Sequence, residues 1–117
     1  GDIDYINAHA TATEIGDIAE TAAIAAVFGT TPRVSSTKGH TGHTLGACGA
    51  IEAIYCLEML RKQLLIPTRN LIEVDERCAP LNYLRNVEAD AKPHVVMNNN
   101  FAFGGINTSM VLGRVPR

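Results

Sequence analysis

The chain has 117 residues, 46% of them hydrophobic and 19% charged, with a net charge of −2. That is enough apolar material for a core, which excludes intrinsic disorder, and it leaves no basic footprint for nucleic acid. No apolar run reaches the ~20 residues of a membrane span; the closest, Leu45 to Leu57, is short and holds Glu52.

The chain opens on Gly1-Asp2-Ile3-Asp4, with no methionine and no charged-then-apolar leader, and reads as a piece of something longer. Ile3 to Ala8 is predicted as a short strand, with Tyr5 and Ile6 as its β-formers. Ala8 to Gly16 is a loop rich in Thr and Ala. Asp17 followed by Glu20 has the spacing of a capping box, which predicts a helix starting there. Asp17, Glu20 and Thr21 share one face of it, and Ile24, Val27 and Phe28 supply bulk on the other. Gly29 stops it.

Val34 to Thr37 is a short strand, and Lys38 to Gly46 a glycine-rich loop carrying His40 and His43. A second helix runs from about Leu45 to Lys62, with small residues in its first turns and Arg61 and Lys62 at its negative end. It is apolar nearly all round until Glu58, which predicts burial on several sides. Ile66 to Leu71 is extended around Pro67. Glu73 to Leu81 is a polar surface loop, and Asn82 to Val87 a short strand. His94 to Asn99 and Ile106 to Leu112 are strands flanking Phe101-Ala102-Phe103-Gly104-Gly105, a tight turn that implies antiparallel neighbours. The order is an α/β pattern.

Cys48, Cys56 and Cys78 contain no CxxC pair. Cys48 and Cys56 lie too far apart along a straight helix to form a disulfide. Reduced thiols of a cytoplasmic protein are the expectation.

Three loops carry the unusual residues: Asn7 to Thr13 (NAHATAT), Ser35 to Ala47 (SSTKGHTGHTLGA) and Asn99 to Asn107 (NNFAFGGIN). Each follows a strand pattern, where ligands gather in α/β sheets. On these motifs, in this order, the chain resembles the C-terminal portion of the β-ketoacyl-acyl-carrier-protein synthases. The resemblance implies part of a thiolase-like αβαβα layered fold with a mixed sheet. Residues 1–117 would then be an incomplete half-domain, the cysteine nucleophile lying in an N-terminal half.

The resemblance also implies a chemistry and its residues. An acyl chain sits on the distant cysteine as a thioester; malonyl-carrier protein loses carbon dioxide, and the carbanion attacks that thioester. His9 and His43 match the two histidines that hydrogen-bond the malonyl thioester oxygen as it gains enolate charge. Two preorganised donors on a developing oxyanion are worth several kcal/mol, roughly ~3 each. Lys38 matches the family lysine, with an electrostatic role and Glu52 as its partner in a polar network. Thr11 and Thr13 match hydroxyls of the pantetheine channel. Phe103 matches a gating phenylalanine beside the nucleophile, Phe101 a packing neighbour, and Gly104 a point of close backbone approach. No cofactor is implied: the phosphopantetheine of acyl carrier protein is the substrate carrier. The implied partners are acyl carrier protein, the N-terminal half and a second copy in a homodimer.

Ala10, Ala12 and Ala102 depart from the family pattern, the last replacing a glycine that helps the gate loop move. Two rival readings remain. His9, His40, His43 and Cys48 around zinc is the weaker, because the spacing is flexible and no second Cys pair exists. A non-catalytic, chain-length-factor-like partner is the other, though such subunits tend to lose the catalytic histidines. The catalytic reading expects His9, His43 and Phe103 to line one cleft at the strand ends.

Overall fold

The computed structural model describes residues 2–115. Its elements in chain order are β1 (Tyr5–Asn7), α1 (Glu14–Phe28), β2 (Arg33–Ser35), the single turn α2 (Lys38–Thr41), a 3-10 turn (Leu45–Ala47), α3 (Cys48–Lys62), β3 (Asn82–Tyr83), β4 (Val95–Ala102) and β5 (Ile106–Gly113). The strands form one sheet in the order β3-β2-β1-β4-β5. The first four are parallel and β5 runs antiparallel to β4, so the sheet is mixed.

Alternation along β1 builds the two cores. Successive strand residues point to opposite faces. Tyr5 therefore joins Cys56, Met59 and Leu60 of α3, with Leu65, Leu84 and Val96. Ile6 points the other way and joins Ile24 of α1, with Ala8, Val34 and Leu81. The result is a helix, a sheet and a helix in three layers: α1 lies in the crossover from β1 to β2 and α3 in the crossover from β2 to β3, while β3 reaches β4 without a helix.

The glycine turn behaves as its sequence implies. Gly104 and Gly105 take φ of 85° and 79°, and β4 and β5 pair from Val95↔Gly113 to Ala102↔Ile106. Ala102 ends β4 in that register. The left-handed backbone falls on the two glycines after it, so the alanine carries no left-handed strain. Ala12 does, at φ 60°, a conformation that disfavours a side chain by about 1–2 kcal/mol.

Four expectations are corrected. Helix α1 begins at Glu14, not Asp17, with Thr13 as an N-cap whose side chain makes no cap bond. Asp17 lies inside the first turn, its N–H donating to Thr13 O at 3.0 Å, and Glu20 points into the protein rather than back along the helix. The buried face of α1 is Glu20, Thr21 and Ile24 together, while Val27 is exposed. Helix α3 buries Cys48, Glu52, Cys56, Met59 and Leu60 and exposes Ile54 and Leu57. It is covered on one side because, among the described residues, the sheet is what it packs on. The third strand is two residues long instead of six; beyond it Glu88 makes only an isolated bridge to Leu65.

Candidate active site

The three motif loops meet at the C-terminal end of β1. His9 lies two residues past that strand, on a loop tied down by Glu20. One carboxylate oxygen of Glu20 accepts the His9 N–H at 2.9 Å and the other accepts the Ala10 N–H at 2.7 Å. Asn99 donates to the same carboxylate from β4 at 3.4 Å and accepts from Ser109 Oγ of β5 at 2.8 Å. Burial pushes the Glu20 carboxyl up in pKa; the N–H donors of Ala10 and His9, then Asn99 and Lys38, pull it back. Glu20 is thus the anchor of the His9 loop, a role its capping-box spacing concealed. Glu20→Gln would set an NH2 against a backbone N–H. The expected cost is about 1–3 kcal/mol, read as a lower denaturation midpoint of the full-length protein; an unchanged midpoint would remove Glu20 from this role.

A seam of carboxamides ties the loop ends together. Asn7 donates to Asn98 Oδ1 at 2.8 Å and accepts the Thr37 N–H at 3.1 Å. Asn98 donates to Gly49 O at 3.3 Å. One buried chain of hydrogen bonds thus joins β1, β4 and the starts of α2 and α3. No local sequence pattern encodes it. The mark it leaves is three consecutive asparagines, residues of low β-propensity, within a strand.

His43 follows α2 and Gly42. Its Nδ1 accepts the Leu45 N–H at 3.0 Å, which leaves the proton of the neutral ring on Nε2. The His9 and His43 rings meet edge to face, centroids 5.3 Å apart at 88°. Phe101 packs on the other side of His9 at 5.7 Å. Burial lowers the pKa of His9, helped by the positive charge of Lys38 and by His43 and opposed by Glu52 and Asn100. The ring is thus biased toward the neutral form. Lys38 Nζ lies 2.6 Å from Glu52 Oε1, both side chains almost wholly buried. This pair links the start of α2 to the inner face of α3.

The two imidazoles line a cleft of about 920 Å³ with Thr11, Thr13, Cys48, Asn100, Phe101 and Phe103. Thr11 and Thr13 share a hydroxyl–hydroxyl hydrogen bond of 3.0 Å. Phe103 stands at the rim, fully exposed at the tip of the β4–β5 turn; Gly104 is in that turn, outside the cleft lining. A second cavity of about 520 Å³ lies behind the loop, bordered by Thr11, Thr13, Glu20, Lys38 and His43. Only the first holds both rings, and it is the site.

His40 is elsewhere: its Nε2 is 3.0 Å from Pro67 O. Among the described residues, no three His, Cys, Asp or Glu side chains gather where they could hold a metal. Cys48 lies buried in the cleft wall, and burial pushes the Cys56 thiol up to about 12. No helix among the described residues is long and apolar enough to cross a membrane.

Comparison with known proteins agrees with this geometry. Residues 1–72 match the profile of the beta-ketoacyl synthase C-terminal domain, and the chain belongs to that family. It is 46% identical to 3-oxoacyl-[acyl-carrier-protein] synthase 1 of Escherichia coli (strain K12) over 114 residues, covering 97% of this chain and 28% of that protein. It is 44% identical to 3-oxoacyl-[acyl-carrier-protein] synthase 2 of Coxiella burnetii over 116 residues, with 97% and 28% covered. Among solved structures, a beta-ketoacyl synthase from Burkholderia phymatum STM815 superposes with a TM-score of 0.92 and 53% identity over 98% of this chain and 28% of that one. The ishigamide ketosynthase/chain length factor superposes with a TM-score of 0.90 and 40% identity over the same shares. The chain therefore spans just over a quarter of the length of these relatives.

Proposed function

We propose that this chain supplies the decarboxylation half of the active site of a 3-oxoacyl-acyl-carrier-protein synthase. The observation that carries the reading is the facing pair of imidazoles in a cleft bordered by apolar rings. The backbone fixes His43 with its Nε2–H free to donate, and burial favours the uncharged form of His9. Two neutral donors at one point suit an oxyanion that exists only in the transition state and the intermediate.

In the proposed reaction, malonyl-carrier protein places its thioester oxygen between His9 and His43. The bond from the α-carbon to the carboxylate breaks and carbon dioxide leaves. The electron pair moves onto the thioester as an enolate, held by the two N–H donors. The α-carbon then attacks the acyl thioester on a cysteine outside this chain. The cysteine thiolate leaves, and the product is a 3-oxoacyl thioester on the carrier. The Lys38–Glu52 pair holds the His43 loop against α3. Thr11 and Thr13 border the approach of the carrier's pantetheine arm, and Phe101 and Phe103 cover the reacting carbons. The reading needs no cofactor of the protein's own and places the enzyme in the cytoplasm as a homodimer that meets acyl carrier protein.

The test is the purified full-length protein with acyl- and malonyl-carrier protein. Release of carbon dioxide and appearance of a 3-oxoacyl product are expected. A correctly folded protein that does neither would be a partner subunit of the chain-length-factor kind, and the reading would fall.

A further inference from the structure

His40 lies outside the cleft, yet it sits on the turn that carries Lys38 and leads into His43. That turn, α2, is four residues long. A single helical turn has little stability of its own, because nucleating it fixes three residues for one hydrogen bond. Its orientation must come from tertiary contacts. On the inner side Lys38 Nζ is held by Glu52 at 2.6 Å, and the Thr37 N–H by Asn7 Oδ1 at 3.1 Å. Both ties lie at the start of the turn, so they alone leave it free to pivot. His43 follows across Gly42, whose φ of 72° ends the turn. Any pivot would swing the His43 ring.

The far end of the turn is met from outside by residues 66–69. That segment is itself tied down. Ser35 Oγ donates to Ile66 O at 2.7 Å, and Thr68 Oγ1 accepts the Ser36 N–H at 2.9 Å. The Thr68 N–H donates to Leu84 O at 3.1 Å. Between these ties stands the Pro67 carbonyl, with His40 Nε2 3.0 Å from its oxygen. A carbonyl only accepts, so this ring nitrogen carries a proton. The turn also meets the segment at Gly39. A Cβ there would stand 2.9 Å from Arg69 N and 3.0 Å from Arg69 O. Both are backbone atoms, which cannot step aside as a side-chain tip can. Glycine at 39 thus lets the two backbones close to the distance that His40 spans.

We propose that His40 is a positioning residue: its hydrogen bond to Pro67 O locks the α2 turn, and with it the His43 ring, against the 66–69 segment. The turn is then held at its start by Lys38 and towards its end by His40. With the pivot blocked, the Leu45 N–H stays on His43 Nδ1 and Nε2–H is presented at one point of the cleft. Gly39 and His40 act together, the first permitting the approach and the second bonding across it. The inference rests on the proposed function for its catalytic consequence, but the restraint on His43 is a property of the protein alone.

The test joins nitrogen-15 magnetic resonance of labelled histidine with rates of the two half-reactions, all in the full-length protein. His40 and His43 are assigned from their alanine variants. In the unmodified protein His40 should show a protonated Nε2, and His43 a protonated Nε2 with an accepting Nδ1. His40→Ala should mix the two His43 tautomers. It should also lower kcat for malonyl decarboxylation by about tenfold to a hundredfold, the scale of a small misplacement of a catalytic group. KM for malonyl-carrier protein and acylation of the enzyme should hold. His40→Gln, whose amide can donate to the same carbonyl, should recover most of the rate. Gly39→Ala should reproduce the loss, because it pushes the Arg69 backbone, and Pro67 with it, away from the turn. An unchanged His43 pattern in His40→Ala, or a His40 Nε2 without its proton, overturns the proposal whatever the rates and the denaturation midpoint. A glutamine variant no better than the alanine one overturns it too. If the full-length protein decarboxylates nothing, the proposed function fails, and the His43 resonances still decide the role of His40.

Discussion

His9→Ala and His43→Ala, made singly in the full-length protein, should each slow malonyl decarboxylation by about 10²–10³-fold, the range seen when one oxyanion donor is removed. Acylation of the distant cysteine should survive both changes, because that step forms its oxyanion elsewhere. The double variant should be little worse than either single one, since residues that act on one oxygen are not additive. Radiolabelled malonyl-carrier protein measures the first step and mass of the acylated enzyme the second. Loss of acylation with decarboxylation intact would reverse the roles assigned to these rings. The rings face each other at 5.3 Å, so neither variant should displace the other ring far.

The second large effect concerns the Lys38–Glu52 pair. The two side chains are 5% and 2% exposed, so each charge depends on the other. Lys38→Ala would strand a carboxylate on the inner face of α3, beside Cys56 and Met59, at an expected cost of about 3–5 kcal/mol. Glu52→Ala should cost a similar amount by stranding the ammonium. Replacing both at once, as Lys38→Met with Glu52→Leu, should recover most of the stability, because the pair contributes little beyond an apolar substitute of like volume. Denaturant midpoints of the full-length protein measure all three. Single changes costing under about 1 kcal/mol would mean water reaches the pair in the intact enzyme.

The legible part of this fold was local. Gly104-Gly105 between two β-rich runs fixed the antiparallel hairpin, and Gly29 the end of α1, because the backbone angles belong to the residues themselves. Glu52 stands out as the one charge in the apolar stretch from Leu45 to Leu57, and the structure pairs it with Lys38. What escaped was set by distance along the chain. Glu20 has capping-box spacing from Asp17, yet its carboxylate binds N–H groups ten and eleven residues back, and no local pattern encodes that. Asn7 and Asn98 meet across 91 residues. Phe101 rather than Phe103 touches His9, because Phe101 lies within β4 while Phe103 falls just past the strand's end, in the turn, where its ring is exposed. The second face of α3 reads as apolar in sequence and stays open in the structure, since hydrophobicity alone does not say what lies opposite.

Strand β1 has a consequence for how the protein is made. It is the hub of the sheet, with one edge completed by β2 and the other by β4. On the ribosome β1 emerges well before β4, and its second edge stays bare until the residues around Asn98 are synthesised. At ~5–20 residues per second that wait is about 5–18 s for the 91-residue gap. During it Asp4 lacks the N–H groups of His94 and Val95 that its carboxylate later accepts, and Asn7 lacks Asn98. A three-residue strand with one open side is a docking point for any passing β-segment. The same delay keeps His9 unset, because the Asn99 contact to Glu20 and the ring of Phe101 arrive with β4. The His9 loop thus takes its final form only when β4 docks, the last tie between the two ends of this sheet.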